Sequence, residues 1–392
     1  MCSPRGIAAA VWRARVAAII AAFVLSAGCG GDPIGPVSAR PQVTSIDDLA
    51  RNRTSHTATL IADTASQQSI LFVGGGGGSC SRELYMVGRG STLLEFEGAC
   101  RIDHTATALD DGSVLIVGGQ DSLKIASETL ASAEIYSPAT EGFSAAGNLG
   151  TARYGHDAIL LEEGTVLISG GYMTNYLLHK VQTASAEMYD PALGAFSQLP
   201  DMNYPRADHT TTLLEDGSVL IVGGTTEPAP MEKYIPQEKR FQVIPDTEFA
   251  RSNHSATLLE DGSVLIAGGI DLNGTTLAHA TLFDPESASF SATGLMKIGR
   301  AGHTASQLPD GSVALTGGNG ADHWALSSVE IYDPLFREFS IISHMLRPRV
   351  GHTATYIESL DGILVAGGWG PLHVTGPVIM RDVDLLSVKA SR

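Results

Sequence analysis

The chain has 392 residues, 43% hydrophobic and 17% charged, with 44 glycines, 18 prolines and 4 cysteines. Its net charge is −17 at pH 7 and it carries no basic cluster. Such a surface repels phosphate, so nucleic acid is excluded as a partner.

The first segment is a leader. Arg5, Arg13 and Arg15 precede the apolar run "VAAIIAAFVL" (16–25), and small residues follow. The run is too short to span a bilayer comfortably, so residues 1–28 read as a secretory signal. Loss of its three arginines takes the net charge from −17 to −20. "LSAGC" (25–29) resembles a bacterial lipoprotein cleavage site, with Cys29 as the residue to be acylated. It departs from that pattern at Ser26, where leucine is commoner. The alternative is ordinary signal cleavage beside an incidental cysteine. Gly30 after the cysteine favours outer-membrane sorting if the host is Gram-negative. "GGDPIGPVSARPQ" (30–42) has three prolines and no apolar periodicity, as expected of a tether from a membrane to the body of the protein.

From residue 43 the chain repeats itself. Histidine recurs at His56, His104, His156, His209, His254, His303 and His352, at spacings of 48, 52, 53, 45, 49 and 49 residues. An arginine stands three residues before each: Arg53, Arg101, Arg153, Arg206, Arg251, Arg300 and Arg349. A glycine pair closes the following apolar run in every copy, from Gly74-Gly75 to Gly367-Gly368. A period near fifty is the mark of a repeat array.

Each unit reads as β-structure. "HTTTLLEDGSVLIVGG" (209–224) has two aliphatic runs around an Asp-Gly turn, where glycine supplies the positive φ. The run "VLIVGG" does not alternate, so it is buried on both faces. A second hairpin follows, as in "AEMYDPALGAFSQL" (186–199) and "VEIYDPLFREFSII" (329–342). Four strands, A to D, form a meander. Such sheets repeated radially make a β-propeller.

Arg-x-x-His, an apolar strand ending in Gly-Gly, then Tyr-Asp-Pro and an aromatic: the unit resembles the kelch repeat. More narrowly it is similar to bacterial kelch and galactose-oxidase-like propellers, over roughly residues 43 to 388. The aromatic of the last strand is Phe here where kelch proteins usually carry Trp. The resemblance implies an all-β, seven-bladed propeller of four-stranded blades over residues 43–392. Phe143, Phe196, Phe241, Phe290 and Phe339 each lie ten residues before their arginine, and Val43 stands at that distance from Arg53. Residues 43–49 are therefore expected to complete blade seven, whose third strand is expected near 378–383.

The repeated arginines and histidines read as structural, the histidine bonding a neighbouring blade and the arginine held by carboxylates or carbonyls. An anion-binding ring around the axis is the functional alternative. Cys80 and Cys100 fall in loops that emerge on one side, so they are expected to pair in an exported chain; two free thiols are the alternative. The glycine pairs are not a phosphate loop, because no helix with a Lys-Ser or Lys-Thr start follows.

The B–C loops differ in every blade, whereas the A–B turns are nearly constant. Tyr172, Tyr176, His179, His279, His323, Trp324, Trp369 and His373 lie in these loops and form a candidate binding face for a protein or a glycan. Their bland reading is packing on the blade rims. His323 and His373, on neighbouring blades, are a weak candidate for a shared metal. Asp271, Asn273 and Gly274 recur in calcium loops, but the run is too short and lacks the closing glutamate.

Two functional readings are open. One is a lipid-anchored monomeric recognition module with no cofactor, held at the cell envelope. The other is a copper-radical oxidase like galactose oxidase. The oxidase resemblance implies a cysteine cross-linked to a tyrosine, a second tyrosine and two histidines. No Tyr-His dipeptide occurs here, and the cysteines have a natural partner in each other. Glycosidase chemistry needs paired carboxylates that the sequence does not single out. No residue is nominated as catalytic.

Overall fold

The Asp-Gly-Ser turns are the first fixed points of each repeat. The carboxylate of Asp111 accepts from the amide and the hydroxyl of Ser113 at 2.9 and 2.6 Å, and the intervening Gly112 takes φ +81°. The same clasp recurs at Asp216–Ser218, Asp261–Ser263 and Asp310–Ser312. It joins strand A to strand B. In blade two these are Thr105–Ala108 and Val114–Val117, followed by C (Ser132–Ser137) and D (Gly142–Asn148), all antiparallel in spatial order A-B-C-D.

The structure, a computed structural model, describes residues 41–61, 69–77, 80–123, 128–174, 179–245, 250–372 and 376–388. Cys29, Tyr176 and His373 lie outside the described residues, as do all of residues 1–40. Seven four-stranded blades form a ring.

Strand B is the core of each blade. Val114, Leu115, Ile116 and Val117 are all fully buried, so both faces of the strand are covered. The period of two assigns alternate residues to opposite neighbours. Val114 and Ile116 pack with Leu71 and Val73 of blade one. Leu115 and Val117 pack with Val166 and Ile168 of blade three. An aromatic pair covers the C–D end of most blades, such as Tyr189 and Phe196, with ring centroids 4.8 Å apart.

The constant motif also ties blade to blade. Each histidine Nε2 lies within hydrogen-bond reach of a Thr or Ser hydroxyl on the preceding blade: His104 with Thr57 at 3.0 Å, His156 with Thr105 at 2.9 Å, and His56 with Thr353 at 3.1 Å across the ring's last seam. The second glycine of each pair donates its amide to the carbonyl of the next blade's arginine, from Gly75 to Arg101 at 2.8 Å round to Gly368 to Arg53 at 2.8 Å. The first glycine cannot be replaced without a clash. A Cβ on Gly223 would stand 2.1 Å from the Arg251 carbonyl oxygen, at φ +66°.

The arginine side chains are buried inside their own blades. Arg300 donates to the Gly317 carbonyl, the Ser328 hydroxyl and the Glu330 carboxylate at 3.0, 3.0 and 2.7 Å. Glu330 also accepts the amides of Lys297 and Ile298. Strand C supplies the acid in six blades: Glu83, Glu134, Glu187, Glu232, Glu330 and Asp384. Thr281 stands at that register in blade five.

Blade seven departs from the expected layout. Its strand B runs on from Gly362 to Leu372 and folds back through Gly376–Ile379. Strand C is Val383–Ser387, later than the expected 378–383, because those residues serve the B-strand extension instead. Val43–Ser45 pairs antiparallel with this strand, Val43 opposite Leu386. Cys80 and Cys100 form a disulfide with Cα atoms 4.7 Å apart.

Candidate functional site

In a meander, A–B and C–D turns share one face of the ring, and B–C and D–A connections share the other. The D–A connection ends at the residue before each histidine, at the inner rim. That position holds Ser55, Asp103, Gly155, Asp208, Asn253, Gly302 and Gly351, all with φ between +52° and +64°. Such a backbone suits glycine, Asn and Asp. Here it turns six of the seven amides toward the preceding blade. Asp103 donates to Ser55, Gly155 to Asp103, Asp208 to Gly155, Asn253 to Asp208 and Gly302 to Asn253, at 2.8 to 3.3 Å, and Ser55 donates to Gly351 at 3.0 Å. The side chains at this ring are variable while its backbone is constant. That is where ligand-directed chemistry can change without disturbing the fold.

Blades two to four use this freedom. Tyr154 and Tyr172 exchange backbone hydrogen bonds at 3.1 and 2.7 Å, which sets their rings 5.3 Å apart. The Tyr172 hydroxyl donates to Asp208 at 3.2 Å. Tyr172 opens a short hairpin, Tyr172–Thr174 with Lys180–Gln182. The return strand carries Lys180, whose ammonium lies 3.4 Å from the centre of the Tyr172 ring and 5.3 Å from that of Tyr154. Gln182 anchors the hairpin by donating to the Gly224 carbonyl of blade four at 2.7 Å.

The electrostatics follow from crowding. Burial and the nearby Asp208 push the Tyr172 hydroxyl up to about 12. Burial raises the Asp103 and Asp208 carboxyls above the ordinary carboxylate range, while the Lys180 charge opposes that rise. The site is therefore a pair of aromatic rings and a pair of carboxylates around one ammonium.

Those sequence-predicted residues that the structure describes are spread over blades three, five, six and seven. Tyr172 belongs to the cluster just described. Trp324 is 62% exposed on blade six, beside His323 in a tight turn at φ +62°. Trp369 is half-buried and faces Val350 in the ladder of blade seven, at the register Tyr172 holds in blade three. His279 sits at a blade edge, lining a cavity of about 470 Å³ with Arg251 and Asp271. Burial and Arg251 lower the pKa of its ring. His179 is exposed, immediately before the hairpin's return strand. Another cavity, about 740 Å³, lies elsewhere again, at the seam of blades seven and one between Arg51, Phe96 and Arg381. The opposite face is also less plain than its A–B turns suggest, since Leu335 and Phe336 of a C–D turn are 82% and 71% exposed.

Asp103, Tyr154, Lys180 and Asp208 were not singled out by sequence. Three of them lie inside the repeat motif, at positions that read as spacing. The available signal was the column before each histidine, filled only by Ser, Asp, Asn and Gly.

No protein-family model and no curated protein matches the chain. Among solved structures it is similar to a fungal alcohol oxidase with catalytic diversity among the AA5 family, in complex with copper. The identity is 15% and the TM-score 0.67, over 90% of this chain and 76% of that one. Cys80 and Cys100 are bonded to each other, and no three His, Cys, Asp or Glu side chains among the described residues are grouped to hold a metal. What the two proteins share is the fold, here a seven-bladed β-propeller of four-stranded antiparallel blades.

Proposed function

We propose that the protein is an extracytoplasmic binding module, tethered to a membrane through acylated Cys29, that holds a protein or glycan partner over the inner rim of its loop face. One observation carries this reading. The hydrogen-bonded ring before the histidines is constant in backbone, yet blades two to four load it with Asp103, Tyr154, Tyr172, Lys180 and Asp208. Polar and aromatic groups on a rigid scaffold are what recognition needs. The arginines, the apolar run and the "LSAGC" stretch of the leader support export and anchoring. The oxidase reading gains only fold-level support, and fold does not fix function.

Two results test the parts separately. Cys29→Ser is expected to move the protein from the membrane fraction to the soluble exported fraction; retention in the membrane would refute the anchor. For the face, envelope proteins and a glycan array are probed with the mature domain. Tyr172→Ala is expected to weaken capture at least ~10-fold, and Asp216→Ala on the opposite face to leave it unchanged. Equal losses, or none for Tyr172→Ala, would show that the face is misassigned.

A further inference from the structure

The cluster at the rim has the composition of a cage for a cation, and it is already filled. Two tyrosine rings make adjoining walls, and one ammonium lies 3.4 Å from the Tyr172 centre. Aromatic faces attract ammonium groups through the ring quadrupole, and nearby carboxylates add charge attraction. Asp208 accepts from the hydroxyl of one wall. The occupant, Lys180, is an exposed residue and enters from the return strand of a hairpin rather than from the core. The hairpin is held by its own ladder and by Gln182 on Gly224. No other blade pairs two tyrosines at this bridge, where Ala301 meets Asn319 in blade six and Val350 meets Trp369 in blade seven. A net charge of −17 draws cations to the surface at large.

We infer that Tyr154, Tyr172, Asp103 and Asp208 form a recognition site for a lysine side chain of a partner polypeptide, and that Lys180 occupies this site in its absence. Lys180 shows how such a chain sits: the ammonium lies over the Tyr172 ring, 3.4 Å from its centre, and its charge is felt by Asp103 and Asp208. Self-occupancy raises the apparent dissociation constant of an incoming lysine, because the cage must first be vacated. The inference rests on the loop face being the working face, but its test needs no partner.

The probe is Nα-acetyl-lysine amide, titrated calorimetrically into the mature domain. Lys180→Ala is expected to bind it at least ~10-fold more tightly than the unaltered chain. Nα-acetyl-norleucine amide, which lacks the ammonium, is expected not to bind. Adding Tyr172→Ala to Lys180→Ala is expected to abolish binding. If Lys180→Ala folds poorly, Lys180→Met keeps the apolar stem and takes its place. Glucosamine and N-acetylglucosamine form the remaining arms. Equal affinity of lysine probe for the variant and the unaltered chain, equal binding of the norleucine probe, or a preference for glucosamine would each overturn the inference. Amine binding without any captured partner would instead count against the binding-module reading alone.

Discussion

Lowering the pH from 7 to 5 is expected to unfold the protein. Seven histidine rings are buried at 6 to 8% exposure, and the Nδ1 of every one lacks a hydrogen-bond partner. With Nε2 facing a hydroxyl, the less costly tautomer keeps its hydrogen on Nε2 and leaves Nδ1 bare. A second proton would sit on that bare nitrogen, in apolar surroundings and near an arginine. Burial first, and the arginines next, hold His104, His209, His254 and His352 down to about 3. His56, His156 and His303 are also held well below the ordinary value, for the same causes.

The sign follows from linkage. The unfolded chain takes up protons near pH 6.5 while the folded ring refuses them, so stability is lost as pH falls below 6.5. Each histidine contributes a slope of up to ~1.4 kcal/mol per pH unit, and seven together approach ~9 kcal/mol per unit. Asp103, Asp157, Asp208 and Asp384, raised by burial, act in the opposite sense, but lower on the pH scale and in smaller number. Total stability of a folded protein is ~5–15 kcal/mol, so the midpoint is expected between about pH 5 and 6. A pH titration by circular dichroism at low ionic strength checks this, with denaturant slopes at pH 7 and 6 giving the proton uptake. A stability unchanged from pH 7 to 5 would show that the histidines bind protons in the folded state.

The second large effect is expected from Glu330→Ala. Arg300 and Glu330 are both fully buried, and the carboxylate joins the arginine to two amides of the D–A connection. Deleting it strands a guanidinium without its counter-charge and orphans two donors. Breaking a buried pair from one side costs about 3–5 kcal/mol. Glu330→Gln keeps the acceptor and should cost less. Urea unfolding at pH 7.5 measures both. A loss under ~1 kcal/mol for Glu330→Ala would mean that water or another group replaces the carboxylate.

The repeat made most of the fold readable. Seven copies of Arg-x-x-His with a glycine pair place A and B strands without ambiguity, because each residue answers a fixed demand between blades: a hydroxyl for Nε2, a carbonyl for the glycine amide, a close approach that no Cβ survives. The third strand of blade seven was misplaced because it lacks Tyr-Asp-Pro, and because the B-strand extension absorbs the apolar residues before it. The site was only partly readable. Tyr172 is conspicuous as an aromatic in a long loop. Asp103 and Asp208 are not, since a left-handed turn selects Asp for backbone reasons alone. Lys180 is one charged residue in a polar loop, and only the hairpin's fold returns it to the tyrosines.

The claim that this propeller binds rather than oxidises is tested most directly by the chemistry of its cysteines. The propeller domain, exposed to copper and oxygen, is alkylated with and without prior reduction, and its peptides are mapped by mass. Cys80 and Cys100 are expected to resist alkylation before reduction and to be fully alkylated after it, with bound copper far below one per chain. A peptide in which either cysteine remains joined to a tyrosine after reduction, lighter by two hydrogens and accompanied by stoichiometric copper, would contradict it.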